Sequence, residues 1–171
     1  MLNLSDYPLN IGIAEKEAAE WFYPVLDRGR GAAFIDTGFL RGLFFDNDPY
    51  ATTARSYFAS ASGNFYTTNL VLAETVRQIS KAKGTDVRTK TVMFGKCTHL
   101  LVDTNTIYVC APPRSLIMNA YRELKEIRQS IPALDLCDLL SIAVLEHAQH
   151  RRVFGFDSHF TTYGAQLEPN G

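Results

Sequence analysis

The chain has 171 residues, 46% of them hydrophobic and 20% charged, which is enough for one domain with a full core. A formal net charge of −1 excludes a globally basic nucleic-acid binder, although clustered carboxylates would supply much of the negative count and a bound metal would reverse the sign locally. No stretch approaches the roughly 20 apolar residues of a membrane span, and the N-terminus has no basic segment followed by an apolar one, so neither a membrane helix nor a signal peptide is expected.

Ile11, Ala14, Ala18, Ala19 and Phe22 recur at helical spacing with Glu15, Lys16, Glu17 and Glu20 mostly on the other faces. That pattern predicts an amphipathic helix over 11–26, ended by Pro24, Gly29 and Gly31. Residues 32–35 form a short apolar run between Gly31 and Asp36, a buried strand by pattern. Asp48-Pro49 places a capping residue before a proline, so a helix is expected to run from there to about Ala61, stopped by Ser62-Gly63. A second strand is expected at 64–67. Thr68 or Asn69 then caps a helix that carries Glu74 and ends at Gly84. Residues 90–101 read as a helix or an irregular segment, and 106–110 as a third strand broken by Pro112-Pro113. Helices follow at 115–130 and from Leu136, separated by Pro132, and 152–156 is the last clear strand before a polar tail. Strands alternating with helices argue for a parallel sheet covered on both faces.

Four acids stand where apolar elements end or begin: Asp36, Glu74, Asp138 and Asp157. Asp36 and Asp157 follow apolar strands, so both would face the crevice beyond the carboxyl ends of a parallel sheet. Each could equally start a turn or cap the next helix. Glu74 has Arg77 and Gln78 as local helical partners, yet the preceding Leu-Val-Leu-Ala makes its turn look buried. Asp135 and Asp138 resemble a capping box with aspartate in place of the usual Glu or Gln, and Asp135 is read as the cap.

The remaining polar clusters are read as structural. His147 and His150 have ligand-like spacing but fall at a helix C-terminus beside Arg151 and Arg152, where positive character suits the dipole. His159 lies two residues past Asp157 and is not assigned a catalytic role. Arg28 with Arg30, Lys81 with Lys83, Arg88 with Lys90, and Arg151 with Arg152 could contact phosphates, but solvated surface is the preferred reading of any one pair. Cys97, Cys110 and Cys137 lack Cys-x-x-Cys spacing and read as buried or reduced thiols, which fits a cytoplasmic protein.

The acidic segments, in this order, resemble the PIN-domain nucleases, in particular the VapC-type toxin component of VapBC toxin–antitoxin pairs. Phe-Ile-Asp36-Thr is similar to that family's opening strand, and Tyr-Thr-Thr-Asn-Leu-Val-Leu-Ala-Glu74 to its second strand and helix. Leu-Cys-Asp138-Leu-Leu-Ser-Ile-Ala is similar to the third motif and Phe-Gly-Phe-Asp157-Ser-His-Phe to the last. Gly155 stands where the family often has Thr or Ser, and Gly38 replaces a common polar residue. The resemblance implies an α/β fold: a three-layer α/β/α sandwich with a central parallel sheet over 31–171, preceded by an N-terminal helical extension over 1–30. It also implies a metal-dependent endoribonuclease. Asp36 and Asp138 would be the leading candidates for direct ligands, Asp157 would complete the metal site, and Glu74 would orient water or bind the metal through water. Carboxylates without His or Cys suit Mg²⁺ or Mn²⁺ better than Zn²⁺. The implied partners are an RNA substrate, a cognate antitoxin protein and a second copy of the chain.

Three other readings stay open from the residues. One is a PIN nuclease of RNA processing or turnover without an antitoxin. Another is a degenerate, non-catalytic RNA-binding PIN module, against which the presence of all four acids weighs. The last is a receiver-like domain, which needs an acidic pair on its first strand where Asp36 stands alone.

Overall fold

Short apolar runs become strands here because helices cover them on both faces. The computed structural model describes residues 32–103, 106–127 and 134–169. The helix expected over 11–26, with the extension assigned to 1–30, lies outside the described residues.

β1 (Ala33–Ile35) is fully buried and sits at the centre of a five-stranded parallel sheet. Its neighbours are β2 (Phe65–Thr68) on one side and β4 (Arg152–Phe154) on the other. β3 (Ile107–Cys110) extends the sheet beyond β2, and β5 (Gln166–Glu168) beyond β4, giving the order β3-β2-β1-β4-β5. The chain thus builds outward from β1 in one direction and then returns to build in the other. The reversal falls between β1 and β4, and in such sheets the ligand crevice lies beyond the carboxyl ends at that point.

Seven helices are described. They are α1 (Thr37–Phe44), α2 (Ala51–Ser60), α3 (Asn69–Lys81), α4 (Val87–Thr98), α5 (Arg114–Ile127), α6 (Leu136–Ala148) and the short α7 (His159–Thr162). A π-helical turn, His99–Asp103, continues α4. Thr68 caps α3 as expected, its hydroxyl accepting from Val71 N at 3.2 Å. Asp48 does not open a helix at Pro49. Its Oδ1 accepts from Tyr50 N at 2.9 Å in a tight turn, and α2 starts later, at Ala51.

Two elements depart from the sequence reading. The polar tail contains β5, an edge strand that packs Leu167 on the core and is held at Glu168 by an ion pair. Arg152 donates from Nε and from a terminal nitrogen to the two carboxylate oxygens of Glu168, both at 2.8 Å, and Tyr57 Oη also bonds Glu168. The other is α1, which begins directly at Thr37 because Asp36 caps it.

Aromatic rings dominate the core between sheet and helices. Phe39 lies 5.2 Å from Phe154 and Phe34 lies 5.4 Å from Tyr66, centroid to centroid. His150 is buried with Nδ1 3.0 Å from Tyr66 Oη, and burial lowers its pKa. Burial likewise pushes the free Cys97 thiol up to about 11 and Cys110 up to about 12, as inert core thiols.

α1 and α2 approach closely at Gly42. A Cβ there would sit 2.7 Å from Ala54 Cβ and 3.3 Å from Tyr50 O. Gly42→Ala is expected to destabilise the protein by about 1–3 kcal/mol, because a crowded core must shift. Gly95, in α4 with nothing within 4 Å of an added Cβ, gives the control. Gly95→Ala is expected to stabilise by about 0.5–1 kcal/mol through helix propensity alone. Urea denaturation of both variants measures the contrast.

Candidate active site

Helix starts place the acids. Asp36 leaves β1 and turns back over the strand end because its Oδ2 accepts from Gly38 N at 3.0 Å. Asp36 N itself donates to Phe154 O of the adjacent β4 at 2.9 Å, which fixes the residue at the reversal point of the sheet. Asp157 follows β4, and its Oδ1 accepts from His159 N at 2.9 Å at the head of α7. The capping box read from the sequence is present. Asp138 N donates to Asp135 Oδ1 at 3.0 Å, and Asp135 N donates to Asp138 Oδ2 at 2.9 Å. These bonds engage Oδ2 of Asp36, Oδ1 of Asp157 and Oδ2 of Asp138, and a carboxylate can accept at both of its oxygens.

Glu74 projects from the second turn of α3. Gln78 Nε2 donates to its Oε1 at 3.1 Å, and Arg77 approaches the same oxygen at 3.7 Å, so the expected local partners are real. Two further groups hold it from other elements. Thr37 Oγ1 donates to Oε2 at 3.4 Å, and the Cys137 thiol, raised by burial and by the Glu74 and Asp36 charges, also bonds Glu74. Gln78 Oε1 is buried without a partner among the described residues, so it is open to a donor from water or ligand.

All four acids line one open cleft, together with Asp135. They sense one another there. Burial drives Asp36 up from its ordinary 3.8 to about 6, opposed by the Gly38 and Thr37 N–H groups and reinforced by the Asp157 and Glu74 charges. Burial likewise drives Asp138 up to about 7, opposed by the Asp135 N–H and reinforced by the charges of Asp135, Asp36 and Asp157. His159 Nδ1 lies 3.0 Å from Asp157 Oδ1, but it counts as unpartnered because the approach is misaligned for a hydrogen bond.

The sequence reading missed Arg41, Asp48, Tyr50 and Phe156 in the cleft wall. Had the Asp36 cap been followed into a helix, Arg41 would have fallen on that helix one turn in, near the site. Tyr50 carried no local signal. Of the basic pairs, Arg28 and Arg30 lie outside the described residues, Lys90 donates to Ser80 O, Arg151 donates to Gly164 O, and Arg152 holds Glu168.

The PIN domain family model matches residues 33–165. The chain belongs to the PIN domain family. Its fold is similar to that of VapC20 from Mycobacterium tuberculosis, a sarcin-ricin loop cleaving toxin, with a TM-score of 0.65 and 22% identity over 78% of this chain and 96% of that one. It is also similar to FitAcB from Neisseria gonorrhoeae, with a TM-score of 0.58 and 11% identity over 79% of this chain and 95% of that one. No curated protein matches the sequence. As a PIN domain, the chain presents its acids where the fold opens, at the carboxyl edge between β1 and β4.

The raised acids give a pH test of this PIN site. Folded values above unfolded ones mean that the stabilisation is complete below about pH 3.8 and is lost as pH rises through about 6 for Asp36 and about 7 for Asp138. In EDTA, the melting temperature is expected to fall as pH rises from about 4 to about 8. Asp36→Asn, whose amide oxygen can keep the cap, is expected to flatten part of that fall. Identical pH profiles for the two proteins would contradict the assignment of the strain to Asp36.

Proposed function

We propose that this PIN domain is a metal-dependent endoribonuclease and the toxin of a toxin–antitoxin pair. The observation that carries the proposal is the gathering of Asp36, Glu74, Asp138 and Asp157 in one cleft, with Asp36 raised by burial and the Asp157 and Glu74 charges, and Asp138 by burial and the Asp135, Asp36 and Asp157 charges. Carboxylates arranged to repel suit a divalent cation.

The donor set fits a hard ion. The four acids offer oxygen, and no group of three or more His, Cys, Asp or Glu stands as a ready metal cage among the described residues. Mg²⁺ does not need such a cage. It keeps several waters and is bound through one or two carboxylates, the remaining positions being filled by solvent and substrate phosphate. Asp36 and Asp138 would hold Mg²⁺ or Mn²⁺ directly, with Asp157 completing the site. When bound, the ion offsets the carboxylate charge, acidifies an attacking water and steadies the leaving oxygen.

The protein's own groups do the rest. Glu74, held by Thr37, Gln78 and Cys137, is fixed to orient water and accept its proton. The Gly38 N–H keeps Asp36 at the strand end while the cation comes and goes. The likeness to VapC20 supports the toxin reading over that of an RNA-processing nuclease through fold alone. A second copy of the chain and a cognate antitoxin are the proposed protein partners.

Cleavage of RNA is expected to require Mg²⁺ or Mn²⁺ and to fall by more than about 100-fold in Asp36→Asn and in Asp138→Asn, beyond what loss of a supporting residue usually costs. Both amides can keep their caps, so far-UV circular dichroism should match the wild type. Undiminished cleavage by Asp36→Asn would refute the assignment. Co-expression with the protein encoded beside it tests the toxin reading: relief of growth arrest and co-purification are expected.

A further inference from the structure

Tyr50 is the exposed end of a three-ring stack that enters the cleft. Its ring lies on Phe156 with centroids 4.1 Å apart and planes 9° apart, and Phe156 lies on Phe39 at 5.8 Å and 15°. Phe39 is buried and Phe156 half-buried, whereas Tyr50 is 47% exposed. Phe156 covers one face of the tyrosine ring.

The backbone that carries the ring is also anchored. Asp48, itself buried at its carboxylate, accepts from Tyr50 N through Oδ1 at 2.9 Å and from Arg41 through Oδ2 at 2.8 Å. One aspartate thus ties the Tyr50 backbone and the Arg41 guanidinium together in the cleft wall. Among the described residues Arg41 is the single basic residue lining the cleft; it is about half exposed and uses one terminal nitrogen on Asp48. Its other donors are suited to a phosphate. Phe156 immediately precedes Asp157, so the stack is tied to the carboxylates by the chain itself.

We propose that Tyr50 is a nucleobase platform. An unpaired base of the RNA stacks on its outer face, Arg41 contacts a neighbouring backbone phosphate, and the strand is thereby laid toward Asp36 and Asp157. This rests on the nuclease reading and names its substrate class as single-stranded or looped-out RNA. Every base has a π-face, so a lone stacking ring selects strand state rather than sequence. In an A-form duplex the bases are already stacked on one another and a tyrosine cannot reach a free face. Arg41 also matters because a cleft lined by carboxylates repels a polyanion, and a fixed cation offsets part of that repulsion.

The test uses the full chain and a short single-stranded RNA in EDTA, which withholds the ion that cleavage requires, carrying 2-aminopurine as a stacking reporter. Wild type and Tyr50→Phe are expected to bind it and quench the fluorescence. Tyr50→Ala and Tyr50→Leu are expected to bind roughly 10- to 100-fold more weakly, with the quench lost. Leucine still covers Phe156, so a role in packing alone would leave Tyr50→Leu like the wild type, and that result overturns the proposal. Equal loss of binding to a duplex of the same sequence also overturns it, as does failure of the wild type to bind the strand. The readout does not depend on turnover. Stacking by a wild-type protein that never cleaves RNA in Mg²⁺ or Mn²⁺ would keep the platform and remove the nuclease reading. Cleavage with normal binding by Tyr50→Leu would do the reverse.

Discussion

Backbone N–H groups at helix starts hold the acidic cleft together. Like charges brought into one cleft repel, and flexible carboxylates would swing apart into water. Asp36, Asp138 and Asp157 are each tethered by a main-chain donor at the beginning of a helix, where the exposed N–H groups favour negative charge. The same bonds start α1 and close the capping box of α6, so the elements that cover the sheet and the acids that face the cleft depend on shared atoms. This coupling places the site at the sheet's reversal, where β1 and β4 lie side by side and their ends open together.

Capping and function are therefore not competing explanations of these residues. Asp138 belongs to a capping box and lines the cleft, and Glu74 has its local helical partners and still meets Thr37 and Cys137 from other elements. In each case the structural bond steers the carboxylate. Burial then raises Asp36 and Asp138, so the cleft carries a repulsion that protonation or a bound cation relieves. A site of this kind is more stable loaded than empty, which links ligand binding to the stability of the fold.

The sheet centre was legible because apolar runs of strand length punctuated by Gly, Pro and Asp have few alternatives. Of the expected strands, β1, β2, β3 and β4 fall within one or two residues of their predicted places. β5 was not legible. Gln166–Glu168 is polar and is held by Arg152 and Tyr57, which is a tertiary constraint invisible to periodicity. α1 was hidden by Thr37-Gly38, which reads as a turn, although the Asp36 carboxylate makes it a helix start. The acids themselves could be listed from position, but only their order, matched to a family, joined them. The aromatic and cationic wall needed the fold, because Tyr50, Arg41 and Phe156 come from three segments that meet only in space.

The proposed shared metal site is tested most directly by a crystal structure of the protein soaked in Mn²⁺, with the metal located by anomalous scattering. A shared site places manganese in the cleft, with carboxylate oxygens of Asp36 and Asp138 about 2 Å from it and Asp157 and Glu74 reaching it directly or through water. Manganese elsewhere, or carboxylates that stay more than about 10 Å apart, would contradict a common catalytic centre.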